Sequence, residues 1–207
     1  MSYSMPVYGN WCYQTIGHNT VLIDNRSHTS ARAELAAWRE GRHAVFVSAR
    51  METHEVVLQR SIVAVPGEYF FFFDRLSTAQ NGIPLAWLLH TPLEVDKRAD
   101  GTISSAPGSP GLLVVPDPQT LADGDVALGT GFSAVPVSYN DAYTPQDGWR
   151  EDVPYLRINS QTDGALGGQT YGVLLAPFAE TPPRVEVLTQ ATEGTSRHEL
   201  HSVLIRW

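Results

Sequence analysis

The sequence predicts an all-β fold, a large antiparallel β-sandwich with little or no helix, and two observations support this. Apolar residues occur in short β-branched or aromatic runs, for example at 43–48 and 55–59, and turn dipeptides such as Pro66-Gly67 separate the runs. Many short strands at this spacing are typical of sandwiches and barrels. A chain of 207 residues fits one such domain, so we expect a single unit spanning residues 1–207.

The longest aromatic run lies at 69–73, directly after the Pro66-Gly67 turn, and contains four consecutive phenylalanines. Successive residues of a strand point to opposite faces, so we expect this strand to be buried on both sides. Further strands are expected at 85–90, 112–115, 134–138, 155–159, 170–176, 184–189 and 200–207.

Three segments are harder to assign. Residues 31–39 fit either one or two helical turns or a strand with a polar face. Residues 104–152 are rich in Pro, Gly and Asp, and are expected to form long surface loops. If the strands divide into two sub-sheets, the division should fall near 99–110.

The charge balance excludes some classes of partner. The chain has 22 acidic and 14 basic residues, a formal net charge of −8. Binding to nucleic acid or to an anionic membrane favours a basic surface, so we expect neither partner. No apolar run reaches the ~18 residues of a membrane helix, and residues 1–10 lack the pattern of a signal peptide. The single cysteine, Cys12, excludes an internal disulfide and gives no information on the compartment.

The stretch with the most chemical content is 11–24. His18 and Asn19 stand directly before a predicted strand at 20–23, and Asn25 suits the left-handed backbone of a turn after it. A histidine held at the mouth of a strand could ligate a metal or contact a sugar, or it could simply hydrogen-bond to backbone. Asp24 and Glu34 are the nearest acids, and either could orient the His18 imidazole.

This stretch resembles the start of the β region in heparinase II/III-like polysaccharide lyases, including oligoalginate lyases. The resemblance rests on the pattern Thr15-x-x-His-Asn-Thr-Val-x-x-Asp24 and on later runs that begin at Arg60, Tyr69, Trp87 and Gly172. It implies a β-sandwich of the lyase supersandwich type, which those enzymes join to a catalytic α-helical toroid. Asn25 replaces a usual glycine and His28 a common glutamine.

The resemblance also implies a chemistry. These lyases cleave uronic-acid polysaccharides such as alginate or heparin-like glycans by β-elimination, in which a base removes the C5 proton and an acid protonates the departing O4. It further implies an acidic polysaccharide or oligosaccharide as partner and a periplasmic or secreted parent protein. Because the toroid residues that carry the chemistry are not in this sequence, we expect the chain alone to be inactive.

Several of these lyases hold zinc in the β part, and His18 resembles one of the ligands. The family's other ligands precede the motif, but residues 1–17 contain neither His nor Asp. His18 would therefore be a partial metal site only, since zinc needs at least three protein ligands. We expect no cofactor in the chain alone and zinc only in a longer parent.

The candidate substrate-binding residues are mainly aromatic. The aromatic side chains that could stack on sugar rings, with core packing as the alternative for each, are Trp11, Tyr13, Trp38, Trp87 and Trp149. Arg150 follows Trp149 and could bind an acidic sugar, and His90 ends a strand that could lie near His18. The remaining histidines at 28, 43 and 54 are expected at the surface. The His198-Glu-Leu-His201 run lacks the spacing of a metalloprotease motif.

Three functions therefore remain open. The chain could be the accessory sandwich of a lyase, contributing His18 and one cleft wall to a toroid elsewhere. It could be a non-catalytic carbohydrate-binding or interaction module, or a small complete enzyme around His18, His90 and a tyrosine. A face left uncovered by a toroid would favour self-association, so we expect a homodimer.

Overall fold

The computed structural model describes residues 15–28, 32–133, 150–190 and 202–206, most of which form β-strands. In chain order these are β1 Val21–Ile23, β2 Glu34–Glu40, β3 Val45–Thr53, β4 Val56–Val65, β5 Tyr69–Ser77, β6 Pro84–His90, β7 Val95–Lys97, β8 Ile103–Ser105, β9 Gly111–Pro116, β10 Asp125–Ser133, β11 Arg150–Gln161, β12 Gly168–Phe178, β13 Glu186–Gln190 and β14 Ser202–Arg206. One short helix, α1 Pro118–Asp123, precedes β10, and 3-10 turns occupy Thr15–Gly17 and Gly164–Leu166. In the described part of the chain, none of the helices has the length and apolar composition needed to cross a membrane.

The strands form two stacked sheets, so the predicted antiparallel β-sandwich is confirmed. Sheet A has four strands in the order β1-β6-β11-β10, and sheet B has eight in the order β2-β3-β4-β5-β12-β9-β8-β7. β13 and β14 form a separate pair. Every pairing is antiparallel. The strands on either side of residues 99–110 belong to the same sheet B.

The main core lies between the two sheets. Ile23, Trp87 and Ile158 of sheet A pack in one buried cluster with Leu76 and Val173 of sheet B. Full burial of such side chains contributes about 1.5–3 kcal/mol each. A second cluster on the opposite face of sheet B is centred on Phe71 and Leu174 and includes Val187 of β13, so the middle of sheet B is apolar on both faces.

The phenylalanine strand follows the prediction in its centre and departs from it at one end. Phe71 is buried in the outer cluster, and Phe72 packs against the core between the sheets. Phe70, however, is 43% exposed. Phe70 shares the inner face of sheet B with Phe72 but is only the second residue of β5, so it lies at the end of the strand, beyond the core between the sheets.

The predicted turns are confirmed where a left-handed residue was expected. Gly67 has φ +80° between β4 and β5, and Asp24 and Asn25 have φ +54° and +51° after β1. The turn between β3 and β4 was not recognised, because its left-handed residues are His54 and Glu55, which lack the usual Gly or Asn signal.

Two segments differ from expectation. Residues 34–40 form strand β2, so the helical alternative for 31–39 is wrong, because pairing with β3 overrides the helix propensity of Ala and Leu. The prediction of long loops at 104–152 is wrong for 111–133, which form β9, α1 and β10. Pro and Asp here start the helix rather than break structure. The strand expected at 134–138 lies outside the described residues.

Helix α1 is fixed to the sandwich through Gly172. The Asp117 side chain caps the helix by accepting from Thr120 N at 2.6 Å, with Pro118 in the first turn. Gly172 of β12 donates its N–H to Thr120 Oγ1 at 2.8 Å and accepts from Asp117 N at 2.8 Å. Burial raises the pKa of Asp117, and the hydrogen bonds from Thr120 oppose this by lowering it. A Cβ on Gly172 would collide with Asp117 Oδ2.

We therefore expect Gly172→Ala to lower the free energy of unfolding by about 1–3 kcal/mol, because the cap must move or the strand must shift. Gly41→Ala is the matched control, since the nearest atom to its Cβ would be Ala44 O at 3.4 Å, and it should change stability by less than about 1 kcal/mol. Urea denaturation followed by fluorescence measures both. Equal effects of the two substitutions would contradict this account of α1.

Candidate functional site

The His18–Asn19 segment lies at the end of sheet A where β6 finishes. His18 N donates to Thr15 O at 3.1 Å, closing the 3-10 turn, and Thr20 N donates to His18 O at 3.0 Å. Thr20 O in turn accepts from Leu88 N at 2.8 Å, which attaches the segment to β6. Both His18 and Asn19 are exposed, so backbone hydrogen bonds hold the segment while the side chains remain accessible.

Asn19 connects this segment to His90, the last residue of β6. Its Oδ1 accepts from the His90 main-chain N–H at 2.6 Å and lies 3.2 Å from His90 Nδ1. The His90 ring stacks on Tyr155 of β11, with 5.1 Å between centroids and 15° between planes. Gly129 leaves room for the tyrosine, because a Cβ there would lie 2.6 Å from Tyr155 Cζ. His90 is therefore held in place by Asn19, from the segment before β1, and by Tyr155 of β11.

A buried ion pair supports the segment from below. Asp74 of β5 is completely buried and receives Arg60 Nε at 2.7 Å and Arg60 Nη2 at 2.6 Å, a bidentate arrangement. Trp87 Nε1 of β6 donates to the same carboxylate at 2.8 Å. Arg60 Nη1 then donates to the Asn19 carbonyl at 2.6 Å. One connected set of hydrogen bonds thus joins sheet B, sheet A and the segment that carries His18.

A second polar contact bridges the sheets nearby. Tyr171 of β12 and Ser160 of β11 form a 2.6 Å hydrogen bond between their hydroxyls. Burial raises the pKa of Tyr171, and the Asp74 charge acts in the same direction. This phenol therefore stays protonated and acts as a structural hydrogen-bonding group.

Two histidines expected at the surface are instead half-buried supports. His28 Nε2 lies 2.7 Å from Val21 O, and His28 N donates to Thr15 Oγ1 at 2.8 Å. His54 Nε2 lies 2.8 Å from Ser27 O. Burial lowers the pKa of His28, opposed by the bond to Val21 and assisted by the charges of His54 and Arg60. His43 is exposed, as expected.

The other candidate residues are placed as follows. Trp11, Tyr13 and Trp149 lie outside the described residues. Trp87 is buried in the core, which is the packing alternative, and Trp38 is exposed on β2, away from the His18 end of sheet A. Arg150 is the first residue of β11, opposite Ser133. Since Tyr155 pairs with His90, the β11 backbone before Tyr155 continues past the end of β6, toward the end of the sheet that carries His18.

The two acids considered as partners of His18 lie elsewhere. Asp24 forms an ion pair with Arg26 at 2.7 Å at the opposite end of β1. Glu34 is on the edge strand β2, opposite Arg50 of β3. The structure therefore supports neither as the group that orients the imidazole.

A polar cavity of about 500 Å³ occupies that opposite end of the sheet. Asp24, Arg26, Glu55, Gln80 and Asn81 line it. Its charged groups already pair locally, Arg26 with Asp24 and Glu55 with Gln80. The cavity is therefore distinct from the His18 end.

The described residues do not fit a zinc site. Within 15–28, 32–133, 150–190 and 202–206, no three His, Cys, Asp or Glu side chains come together in a way that could hold a metal ion. His18 by itself supplies one nitrogen, and a stable site needs three or four ligands. The function proposed below uses no step through a metal.

Sequence reasoning gave no role to Arg60, Asp74, Asn19 or Tyr155, although Asn19 and Arg60 lie in the runs that carry the family resemblance. A signal for the first two was present, because Arg60 and Asp74 stand within strands made mainly of apolar residues. A charge inside such a strand is stable only when a partner is buried with it. Which strand supplied that partner could not be deduced without the register of β4 and β5.

Loss of Arg60 should be costly, because it would leave the buried Asp74 carboxylate without its bidentate partner. We expect Arg60→Ala to lower the free energy of unfolding by about 3–5 kcal/mol. Arg26→Ala removes an arginine from an exposed pair, with 58% and 43% of the two side chains accessible, and should cost less than about 1 kcal/mol. Chemical denaturation compares the two, and similar losses would show that the buried pair is not a special support.

The lowered pKa of His28 predicts acid sensitivity. Protonation is disfavoured in the folded chain, so the stability present above the ordinary value of 6.5 is lost as the pH falls from there through the folded-state pKa. His28→Gln should reduce this loss, whereas the exposed His43→Gln should not. Urea midpoints measured between about pH 7.5 and pH 5 test this. An unchanged pH dependence in His28→Gln would refute it.

Comparison with known proteins identifies the family. The model of the heparinase II/III-like, C-terminal family matches residues 3–132, and no curated protein matches the chain. The heparan sulfate lyase HepC from Pedobacter heparinus has a TM-score of 0.71 at 16% identity, over 87% of this chain and 27% of its own. A heparinase III gene product gives 0.72 at 16% identity, over 90% and 28%, and another heparinase III gives 0.65 at 14%, over 95% and 30%.

At these identities the structural likeness shows a shared fold. The chain spans less than a third of the length of each of these enzymes. The family match covers more than half of the chain and includes the His18–Asn19 segment, Arg60, Asp74 and His90. This chain therefore belongs to the heparinase II/III-like, C-terminal family.

Proposed function

We propose that this chain is the β-sandwich part of a polysaccharide lyase that acts on uronic-acid polysaccharides, and that it supplies one wall of the sugar-binding cleft. The observation that carries the proposal is the exposed His18–Asn19 segment, fixed from below by Arg60 and from the side by His90. An exposed pair of polar side chains on a rigid support is what sugar binding requires.

The chemistry of the two side chains suits an acidic sugar. Asn19 Oδ1 faces His90, so the amide Nδ2, with two donor hydrogens, is directed away from it. The His18 imidazole lies next to it at the surface. Together they can donate hydrogen bonds to a sugar carboxylate. Donors that hold this carboxylate would stabilise the negative charge that develops when the C5 proton is removed.

The remaining steps of β-elimination need groups from elsewhere. A base must take the C5 proton and an acid must protonate O4 of the departing sugar. We assign these groups to a helical part of the lyase on the opposite side of the cleft, which agrees with the chain's short span relative to the similar enzymes. The chain alone then binds but does not cleave. A zinc ion would require a longer protein that adds ligands to His18.

The substrate class follows from the same reasoning. One structural neighbour is a heparan sulfate lyase, so a heparan-sulfate-like glycan is the first substrate to test, with alginate second. The formal net charge of −8 disfavours any polyanion at long range. Binding must therefore come from local donors and is expected to be weak and sensitive to salt.

Calorimetric titration with heparan sulfate and alginate oligosaccharides tests the binding role. We expect His18→Ala and Asn19→Ala each to weaken binding by roughly tenfold, because each removes a hydrogen bond to a charged group. His43→Ala, at an exposed histidine in the β2–β3 turn, should leave binding unchanged. The proposal is contradicted if neither glycan binds, or if His18→Ala binds them as tightly as the original chain does.

A lyase assay on the same protein tests whether the chain is catalytic by itself. Unsaturated uronate should not accumulate with the chain alone and should appear when a helical lyase fragment is added. Turnover by the chain alone would replace this proposal with a complete enzyme. Binding that never supports turnover with any helical fragment would favour the alternative, a non-catalytic carbohydrate-binding or interaction module.

A further inference from the structure

The outer edge of sheet B, as the described strands form it, is an exposed surface that the proposed lyase role does not use. β2 is the outermost strand of the sheet, and six of its seven residues are exposed. Leu35 is 67% and Trp38 52% exposed, the two highest values among the large apolar side chains described as exposed. An edge strand presents a row of backbone N–H and C=O groups that can pair with another strand.

A β-bulge determines which side chains of β2 share a face. Residues three apart on a regular strand point to opposite faces. The register with β3 shifts between Leu35 and Ala37, so that Leu35 lies opposite Ala49 and Trp38 opposite Val47. Ala49 and Val47 are two residues apart and share a face. The bulge therefore places Leu35 and Trp38 together on the inner face of sheet B, the face that sheet A covers further along.

The charged residues of β2 are arranged in the same way on the other face. Glu34 lies opposite Arg50 and Arg39 opposite Phe46, and these two β3 residues are four apart. Glu34 and Arg39 therefore share the outer face. Arg39 Nη1 donates to the Trp38 carbonyl at 2.8 Å, so its guanidinium lies close to the β2 backbone.

This pattern is complementary to itself. In an antiparallel pair of two β2 strands related by a twofold axis, one register places Glu34 opposite Arg39, Leu35 opposite Trp38 and Ala36 opposite Ala37. Each pair then meets on a matching face, and each occurs twice. A shift of one residue places Glu34 opposite Glu40 and Leu35 opposite Arg39, which joins like charges and mismatches the faces.

We propose that β2 is a self-association surface, through which two copies of this chain pair their sheets B edge to edge in the register Glu34–Arg39, Leu35–Trp38 and Ala36–Ala37. The partner is a second copy because the apolar pairs and both ion pairs are satisfied by the strand's own sequence. The contact is small compared with a standard interface of about 1,600 Å², so the dimer is weak. The lyase proposal neither requires nor excludes it.

Sedimentation velocity over a wide range of protein concentration tests the pairing. We expect a monomer–dimer equilibrium. Glu34→Arg and Arg39→Glu should each weaken the dimer about tenfold, because each converts two attractive pairs into two repulsive ones. The double variant restores opposite charges in the same register, so its dissociation constant should return to within about threefold of the original. Trp38→Ser should weaken the dimer without changing the charge.

Glu68→Arg is the matched control, since Glu68 is exposed in the β4–β5 turn and the substitution makes the same charge change as Glu34→Arg. Thermal unfolding of every variant shows that folding is retained, which matters for Glu34→Arg because Arg50 lies opposite. A monomer at all concentrations, reversals no stronger than the control, or a double variant without recovery would each overturn the proposal. The proposal would also be overturned if the chain is monomeric and Trp38→Ser abolishes its binding to a helical lyase fragment, since the occupant of β2 would then be that fragment.

Discussion

A carboxylate without water must have its charge balanced within the protein, and in this fold that constraint falls on Asp74. The group has no exposed surface and is held by two nitrogens of Arg60 and by the Trp87 indole. Arg60 and Asp74 lie opposite each other on neighbouring strands of sheet B, and Trp87 belongs to sheet A. The ion pair that balances the charge forms within sheet B, and the Trp87 bond ties the same carboxylate to sheet A, so stacking of the sheets completes the set of partners around Asp74.

The candidate site depends on the same arginine. Arg60 uses its remaining terminal nitrogen on the Asn19 carbonyl, and Asn19 in turn holds the end of β6 through His90. Arg60 also lies over the Phe72 ring, with its guanidinium carbon 5.5 Å from the ring centroid. The exposed His18 thus follows a backbone that Arg60 and His90 hold in place through Asn19, so the segment is both fixed and open to solvent.

The sequence was sufficient for features that depend on neighbours along the chain. Alternating apolar runs predicted most strands, and Pro66-Gly67 and Asn25 predicted turns, because turn chemistry is local. His18 was predicted from its motif to stand directly before a strand, and the structure places it there, exposed, before β1. Arg60, Asp74 and Trp87 were not found as a set, because their hydrogen bonds join residues 13, 14 and 41 positions apart. The assignment of β2 was left open since its alanines and leucine favour a helix, and only pairing with β3 makes it a strand.

The order of the strands has a consequence for how the chain reaches this state. β12 lies between β5 and β9, and β11 lies between β6 and β10, so two late segments are inserted between pairs of earlier ones. The family match ends at residue 132, before either segment begins. A polypeptide cut there would keep the motif but leave four strand edges unsatisfied in the middle of both sheets. Closing both sheets must therefore wait for contacts between residues far apart in the chain, which slows folding.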